Sequence, residues 1–201
     1  MKIIGITGGV ACGKTAVAGL FQKLGAVVLD ADRAGHAALL REDVKQAATE
    51  RWGERILAPD GQVDRKKLGE IVFAADPEGE RERRYLESLS HPHIAETLQA
   101  ELKEHAARGA AIAVVDAALL FEAGWDRLCD ATIFVEATRE IRRQRAGQRG
   151  WDQHDFARRE AAQLPPEEKR RRADLVIDNS GSLEQTAELV EACWAEIVKK
   201  S

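Results

Sequence analysis

A glycine-rich segment near the start of the chain constrains the fold more than any other feature. Residues 8–15 read GGVACGKT, which fits the G-x-x-x-x-G-K-S/T pattern of phosphate-binding loops. The aliphatic run Ile3–Thr7 comes directly before this segment, and a helical pattern begins near Lys14. Because such loops connect a parallel strand to a helix, and because both flanks are present here, the sequence predicts an α/β fold built on this unit.

The residue types in this segment suit the binding of nucleotide phosphates. Glycines allow the tight turns that aim backbone N–H groups inward, and the helix that follows adds the positive end of its dipole. Lys14 is expected to bridge the β and γ phosphates, and the Thr15 hydroxyl is expected to be a ligand for Mg²⁺. The residues expected to bind the nucleotide are Gly8, Gly9, Ala11, Cys12, Gly13, Lys14, Thr15 and Ala16. The pattern therefore predicts a bound nucleotide with Mg²⁺; a glycine-rich turn that binds nothing is the alternative.

Five short aliphatic runs predict the strands of a parallel sheet. Each run is bounded by glycine, aspartate or a change to helical periodicity, and continuous apolar runs are typical of strands covered on both faces. The runs are Ile3–Thr7, Val27–Asp30, Ile112–Asp116, Thr132–Val135 and Leu175–Asp178, and helical patterns lie at Lys14–Leu24, Arg139–Arg149 and Leu183–Lys199. The expected fold class is α/β: a P-loop fold with a five-stranded parallel sheet flanked by helices.

The stretch from residue 33 to residue 108 interrupts this alternation of strands and helices. It reads almost entirely as helix. Its one strand-like piece, Ile56–Val63, contains the turn signal Pro59-Asp60-Gly61, which favours a loop or a small hairpin. We therefore predict a core of residues 1–32 and 109–201, and a helical insert of residues 33–108 that binds the acceptor substrate.

A charged zone that contains Pro165-Pro166 predicts a mobile lid at about residues 142–172. Arg142, Arg145 and Arg149 recur there at helical spacing, so they share one helix face and could neutralise the charge of a transferring phosphate. Most such stripes are solvated surface, and that alternative stays open for Arg142 and Arg149.

Carboxylates follow two of the predicted strands. Asp30 and Asp32 lie at the end of the second strand, where ligands bind in open α/β sheets, and their spacing keeps both on one face if the strand continues. One of them could accept the proton of a substrate hydroxyl, and capping of the next helix is the alternative for Asp32. Asp116, which ends the third strand, resembles the acidic residue beside Mg²⁺ in P-loop proteins, with a capping role as its alternative.

Taken together, these motifs resemble the family of dephospho-coenzyme A kinases, which transfer the γ-phosphate of ATP to the ribose 3′-hydroxyl of dephospho-coenzyme A. The resemblance runs nearly the full length of the chain. It is carried by Thr7-Gly8-Gly9, Gly13-Lys14-Thr15, Asp30-Ala31-Asp32, Asp64-Arg65, His91-Pro92-His93, Leu119-Leu120-Phe121-Glu122, Glu168-Lys169 and Ala173–Asn179. The chain departs from the family at Ala11-Cys12, where Gly-Ser is usual. An unstrained backbone would still supply the N–H groups that bind phosphate.

The resemblance implies roles for individual residues. Asp32 is implied to be the base that accepts the hydroxyl proton, and Asn179 and its loop are implied to lie near adenine. The implied catalytic residues are Asp32, Lys14, Arg145 and Thr7, and the implied contacts of the acceptor are Asp32, Arg65 and His91. The implied strand order is 2-3-1-4-5.

Two local patterns lead to further expectations. The proline between His91 and His93 suggests a helix start at that point, with structural or substrate-contact roles for the two histidines and no metal site. Cys12 lies among N–H donors, beside Lys14 and near a helix N-terminus. That setting favours a lowered pKa of the Cys12 thiol. A thiol-alkylating agent is therefore expected to react with Cys12, and bound ATP is expected to prevent this reaction.

Composition limits the partners and the location. The formal net charge of −4 gives no general attraction to nucleic acid or to an anionic membrane, so neither is expected as a partner. The opening residues lack the apolar length and cleavage site of a signal peptide, so a cytoplasmic protein is expected, as a monomer or weak homo-oligomer. Cys12, Cys129 and Cys193 fit neither a disulfide framework nor a metal-binding spacing.

Three alternative functions remain open at this point. A nucleoside monophosphate kinase shares the loop, the insert and the lid arginines, but its phosphate acceptor is already ionised and needs no base, whereas Asp30-Ala31-Asp32 favours a hydroxyl acceptor. A regulatory GTPase would need a guanine-reading Asn-Lys-x-Asp element, and Asn179, the only asparagine, is followed by Ser180. A non-enzymatic nucleotide-binding module is the third.

Overall fold

The computed structural model describes residues 1–74 and 76–199, and its strands form one five-stranded parallel sheet. The strands are β1 (Lys2–Gly8), β2 (Val27–Asp30), β3 (Ile112–Asp116), β4 (Ala131–Glu136) and β5 (Leu175–Asp178). Their order across the sheet is β2-β3-β1-β4-β5, and every neighbouring pair is parallel. The predicted strands and the implied strand order are both confirmed.

Nine α-helices accompany the sheet in the described part of the chain. They are α1 (Lys14–Lys23), α2 (Ala31–Leu39), α3 (Glu42–Trp52), α4 (Arg65–Val72), α5 (Pro77–Ala107), α6 (Arg139–Gln148), α7 (Gln153–Ala161), α8 (Pro166–Arg172) and α9 (Leu183–Lys199). The helices predicted after β1, β4 and β5 correspond to α1, α6 and α9. Within the described ranges, none of these helices has the length and apolar character needed to cross a membrane.

The chain divides into two compact units. Unit 1 comprises Met1–Ala31 and the residues from Ala100 onward, and unit 2 comprises Asp32–Gln99. Unit 1 holds all five strands, whereas the described residues of unit 2 form helices, the turns between them and one short antiparallel bridge. Unit 2 overlaps the predicted insert of residues 33–108, whose role as the acceptor-binding part stays a prediction.

Apolar side chains join the sheet of unit 1 to helices α1 and α9. The cluster includes Ile4, Ile6, Val17, Phe21, Val114, Ile133, Val190 and Ile197. Parallel strands covered by helices bury both faces, which explains why the strand sequences are continuous apolar runs. Full burial of such a side chain contributes about 1.5–3 kcal/mol to stability. The packed sheet therefore provides a rigid edge for the loops that follow its strands.

The register of the central strands places three chain segments at one edge of the sheet. Ile6 of β1 pairs with Asp116 of β3, and Asp30 of β2 pairs with the same residue. Because the strands are parallel, their carboxyl ends meet at this edge, and β1 continues there through Gly8 into the glycine-rich loop. The carboxylates of β2 and β3 therefore lie at the same edge as the loop.

Unit 2 contains a small hairpin within Ile56–Val63, where the sequence predicted a loop or a small hairpin. Leu57 and Val63 form an antiparallel bridge across the turn at Pro59-Asp60-Gly61. The helices around this hairpin bury Ala48, Trp52, Ile56, Leu68 and Val72 in one apolar cluster. This cluster is separate in sequence from the core residues of the sheet, which is consistent with a compact unit of its own.

Pro92 lies inside helix α5, and the expected helix start at this proline is wrong. The helix begins instead at Pro77, where the Asp76 carboxylate accepts the Gly79 N–H across 2.7 Å. Proline removes one backbone hydrogen bond from a helix interior. The helix is retained because residues beyond the proline are buried, Ile94 at 5% exposure and Leu98 at 0%, so tertiary packing outweighs the local cost.

A buried carboxylate, Glu82, ties α5 to α3. Its oxygens accept hydrogen bonds from Arg51 Nε at 3.0 Å, Arg51 Nη2 at 2.7 Å and Trp52 Nε1 at 2.7 Å. The Arg51 guanidinium also lies over the Tyr85 ring, with Cζ 5.0 Å from the ring centroid. The bonds from Arg51, with a smaller contribution from Trp52, lower the pKa of Glu82 to about 2.

We expect Glu82→Gln to destabilise the protein near neutral pH by roughly 2 kcal/mol, because glutamine loses the charge that Arg51 pairs with. A carboxyl whose pKa is lower in the folded state stabilises the fold above its unfolded pKa, near 4.5, and loses that contribution as the pH falls toward about 2. Denaturant titrations near pH 7 and near pH 3 should show the difference between wild type and variant shrinking in acid. A difference that is independent of pH would contradict this origin.

Candidate active site

The predicted phosphate-binding loop connects β1 to α1, as its pattern requires. The chain leaves β1 at Gly8 and enters α1 at Lys14. Gly13, which precedes the helix, has a φ of 94°, a conformation that favours glycine. The N–H of Cys12 donates to the Gly9 carbonyl across 3.1 Å and closes the turn. The N-terminus of α1 therefore opens onto the loop, where its dipole and N–H groups favour an anion.

Ala11 has a positive φ of 59°, so the condition of an unstrained backbone is not met at this departure from the family pattern. An alanine in the left-handed region costs about 1–2 kcal/mol. The residue is 8% exposed and belongs to an apolar cluster with Val10, Ala146 and Phe156. Burial of its methyl group offsets part of the strain and keeps the loop in place.

Three predicted side chains meet beside the loop. Lys14 Nζ lies 3.8 Å from Asp116 Oδ1. The Thr15 hydroxyl donates to Asp116 Oδ2 across 3.4 Å. Asp116, at the end of β3, is 7% exposed. The edge of the sheet thus presents an ammonium group, a hydroxyl and a carboxylate together, which is the set of groups that P-loop proteins use for nucleotide phosphates and their metal ion.

Thr15 and Asp116 fit a nucleotide-bound Mg²⁺. Both offer the oxygen ligands that this ion prefers, and the 3.4 Å between Thr15 Oγ1 and Asp116 Oδ2 allows them to face one ion. No group of three or more His, Cys, Asp or Glu residues able to hold a metal ion occurs among residues 1–74 and 76–199. Two protein ligands suit Mg²⁺, because this ion usually takes its other ligands from phosphates and water.

Asp30 and Asp32 were predicted to lie on one face of a continuing strand, and this prediction is wrong. Strand β2 ends at Asp30 and helix α2 begins with Ala31, so Asp32 lies in the first turn of a helix and is exposed. The helix begins early because Ala31, Ala34 and Ala38 repeat at helical spacing and are buried.

Arg145 and Asn179 both bond to one carbonyl of the loop. Arg145 Nη1 donates to the Cys12 carbonyl across 2.9 Å, and Asn179 Nδ2 donates to the same oxygen across 2.8 Å. Arg145 Nη2 also donates to the Asn179 carbonyl across 2.9 Å. The structure therefore brings both predicted residues against the loop. The role of Arg145 in transfer and the position of Asn179 near adenine stay predictions.

Arg142 is 7% exposed, which excludes its surface alternative. It donates to Glu160 Oε1 across 2.6 Å and to the Val10 carbonyl across 3.4 Å. A Cβ atom on Gly9 would lie 3.1 Å from Arg142 Nη1, so the guanidinium packs directly against the loop. Arg142 thus fastens α7 to the loop, whereas Arg149 is exposed and its surface alternative holds.

Lys169 is fully buried, and in the sequence only the family resemblance marks it. Its ammonium group bonds to Glu122 Oε1 at 2.8 Å, the Ala118 carbonyl at 2.7 Å and Gln163 Oε1 at 3.0 Å. Burial lowers the pKa of Lys169, and Glu122 opposes that effect. The Ala118 carbonyl also accepts the Thr7 hydroxyl across 3.3 Å. Thr7 is therefore held by the loop after β3, and its part in transfer stays a prediction.

Cys12 does not have the expected thiolate character. It is 1% exposed, and its Sγ lies 2.5 Å from the position that a Cβ on Gly8 would take. Burial raises the pKa of Cys12, while the charge of Lys14 opposes this only in part. The expectation of a lowered pKa is wrong because the thiol packs into the apolar core of unit 1.

We expect Cys12 in the folded protein to resist alkylation near neutral pH, because the thiolate is the reacting form. Burial also raises the pKa of Cys129 to about 12 and that of Cys193 to about 11. Mass spectrometry after iodoacetamide treatment should find little label on the native chain and label on all three cysteines after denaturation. Fast labelling of Cys12 that ATP prevents would restore the expectation drawn from the sequence.

The two other predicted acceptor contacts lie in unit 2. Arg65 is exposed at the start of α4, and His91 is half-buried in the middle of α5. A Cβ on Gly35 in α2 would lie 3.4 Å from Ile94 Cδ1, so α2 and α5 touch within one turn of Asp32 and of His91. The contacts that these residues make with a substrate stay predictions.

Comparison with known proteins identifies relatives over the whole chain. The family model for dephospho-CoA kinase matches residues 2–185. A dephospho-CoA kinase from Geobacter sulfurreducens is 39% identical over 199 residues, which are 98% of each chain. A crystal structure from Thermus thermophilus shares 36% identity and a TM-score of 0.79 over 97% of both chains. A dephospho-CoA kinase from Campylobacter jejuni shares 26% identity and a TM-score of 0.71, covering 100% of this chain and 99% of that one.

Proposed function

The chain belongs to the dephospho-CoA kinase family, and from that premise we propose that it transfers the γ-phosphate of ATP to the ribose 3′-hydroxyl of dephospho-CoA, yielding CoA and ADP. The observation that carries this proposal is the cluster of Lys14, Thr15 and Asp116 at the mouth of the phosphate-binding loop. That cluster supplies the charges and ligands that an ATP-dependent phosphoryl transfer requires.

We propose that Thr15 and Asp116 hold Mg²⁺ on the nucleotide. Mg²⁺ held by these two residues would neutralise part of the charge on the nucleotide phosphates. Asp116 also lies 3.8 Å from Lys14 Nζ, and this pairing holds the ammonium group beside the loop, where it can reach the β and γ phosphates. The backbone N–H groups of residues 8–16 would orient the phosphates without any change of charge.

Asp32 is the residue that we assign as the base. A hydroxyl acceptor must lose its proton during transfer, and a positioned carboxylate accepts that proton. Asp32 lies two residues after Asp30, which ends β2, and it is exposed in the first turn of α2. In this proposal unit 2 binds the acceptor, with Arg65 and His91 as further contacts and a boundary near the predicted insert of residues 33–108.

Arg145 is the lid residue that we assign to the transferring phosphate. Its guanidinium has five N–H donors, and two of them bond to the carbonyls of Cys12 and Asn179. The others remain for phosphate oxygens as negative charge develops on them. Thr7 is placed beside the same loop, and Asn179 with its segment is proposed to lie near adenine.

An assay of ADP release tests this function directly. Purified protein with Mg²⁺ and ATP should release ADP rapidly when dephospho-CoA is added, and the product should carry one added phosphate by mass spectrometry. Nucleoside monophosphates serve as the matched acceptors, because they offer a phosphate instead of a hydroxyl. Preference for a nucleoside monophosphate would overturn the proposal in favour of that kinase class.

We propose a cytoplasmic protein that acts as a monomer or a weak homo-oligomer on a small-molecule substrate, without nucleic acid or membrane partners. The net charge of −4 supports the proposed absence of nucleic acid and membrane partners, because it offers no general attraction to polyanions. Cell fractionation and light scattering across a range of concentrations test these statements.

A further inference from the structure

We propose that Asn179 and Thr186 are positioning residues that fix the orientation of the Cys12–Gly13 peptide in the phosphate-binding loop. The proposal rests on the proposed ATP-binding role of that loop. In this role the side chain of Asn179 supports the loop itself. Thr186, on α9, contributes to nucleotide binding through its hydrogen bond to Asn179.

The Cys12 carbonyl accepts two hydrogen bonds, from Arg145 Nη1 at 2.9 Å and from Asn179 Nδ2 at 2.8 Å. A carbonyl oxygen has two lone pairs, so its bonding capacity is filled. In a trans peptide the C=O and the following N–H point in opposite directions. Holding the Cys12 carbonyl toward Asn179 therefore aims the Gly13 N–H to the other side of the peptide, which is the side that the loop offers to phosphate.

The orientation of the Asn179 amide follows from its surroundings. Only the amide nitrogen can donate to the Cys12 carbonyl, so the amide oxygen must face the Thr186 hydroxyl, which lies 3.0 Å away and donates to it. The Ser182 carbonyl, which also accepts the Thr186 backbone N–H, is a second acceptor for this hydroxyl at 3.1 Å, but donation there would deprive the buried Asn179 amide oxygen of this donor. The Cys12 carbonyl and the Thr186 hydroxyl thus together determine which end of the amide faces the loop.

Burial makes this chain of hydrogen bonds specific. Asn179 is 5% exposed and Thr186 is 0% exposed, so water does not readily replace a missing partner. The backbone of Asn179 is fixed as well, because its N–H donates to the Glu136 carbonyl across 2.8 Å. The amide therefore approaches the loop from a fixed position at the end of β5.

Gly13 is matched to this approach. A Cβ at that position would lie 2.2 Å from Asn179 Nδ2, which is too close for any side chain. The glycine is therefore required by its φ of 94° and, independently, by the amide that packs against it. The loop and the Asn179–Thr186 pair form one structural element, which links α9 to the phosphate-binding groups.

The test removes the Thr186 hydroxyl and measures ATP binding. Thr186→Val has nearly the same shape but cannot donate, so the amide loses the group that orients it. We expect the dissociation constant for ATP, measured by titration calorimetry with Mg²⁺, to rise about tenfold, the effect of about one hydrogen bond. Thr186→Ser keeps the hydroxyl and should bind ATP within about twofold of wild type by the same reasoning. Thr186→Ala should show the same loss as valine, and it covers the case in which valine prevents folding.

Thr132→Val is the matched control. Thr132 is also a buried threonine of unit 1, 6% exposed, and its hydroxyl donates to Asp174 across 2.8 Å at the start of β4, away from the loop. It should lower Tm without changing ATP affinity. If Thr186→Val and Thr186→Ala lower Tm as Thr132→Val does but leave ATP affinity unchanged, the positioning role is wrong. If wild type binds ATP but does not phosphorylate dephospho-CoA, the proposed function fails while this inference stands.

Discussion

Asp32→Asn is expected to lower the turnover number with ATP and dephospho-CoA by at least about 100-fold while ATP affinity stays close to that of wild type. A positioned base typically contributes about 10²–10⁴-fold to such a rate. Asparagine has nearly the same size but cannot take the hydroxyl proton. Because Asp32 is exposed in the first turn of α2, the substitution should disturb neither the fold nor the loop. Steady-state kinetics at saturating substrates and an ATP titration on the same preparation measure the two quantities.

Asp30→Asn is the matched control for this experiment. Asp30 ends β2 and pairs in register with Asp116, so it lies at the edge of the sheet where we propose that Thr15 and Asp116 hold Mg²⁺. We expect Asp30→Asn to lower turnover less than Asp32→Asn does. Asp30 ends strand β2, whereas Asp32, the proposed base, lies in the first turn of α2. Near-normal turnover of Asp32→Asn, or loss of its ATP binding, would make Asp32 a structural or metal-associated residue.

Most of the sheet and the loop follow from local sequence. The strand at Val27–Asp30 and the strand at Leu175–Asp178 match their predicted bounds, because a short aliphatic run closed by aspartate ends wherever the apolar character ends. The phosphate-binding loop could also be predicted from local sequence, since one pattern specifies its glycines, its lysine and its hydroxyl-bearing residue. The helix after Asp30 was expected from about residue 33 but begins at Ala31, and the spacing of Ala31, Ala34 and Ala38 is the helical signal for the earlier start.

The contacts that support the loop could not be predicted in this way, because they join residues far apart in sequence. Arg142 pairs with Glu160 on the next helix, and Lys169 reaches the Ala118 carbonyl across 51 positions. Helical spacing of arginines does not show which one is buried. Cys12 illustrates the same limit: its neighbours in sequence favour a thiolate, whereas the fold buries its sulfur in the core.

The second large effect is expected for Arg145→Ala, which should lower the turnover number about 100-fold or more, as loss of one stabilising donor in a transition state typically does. ATP affinity should fall far less. In the variant, Asn179 Nδ2 still donates to the Cys12 carbonyl, so one of the two bonds that orient this peptide is kept, while the donors that would meet the developing phosphate charge are lost. Arg149→Ala is the control, because Arg149 is exposed near the end of the same helix and should retain near-normal turnover.

Combining Arg145→Ala with Thr186→Val separates the two roles of the arginine. Each substitution alone leaves the Cys12 carbonyl with one well-placed donor, whereas the double variant disturbs both. Residues that share a partner do not act additively. We therefore expect ATP affinity in the double variant to fall by more than the two single effects combined, measured by titration calorimetry. Should Arg145→Ala alone abolish ATP binding while turnover at saturation persists, Arg145 is a clamp for the bound nucleotide and its assignment to the transferring phosphate is wrong.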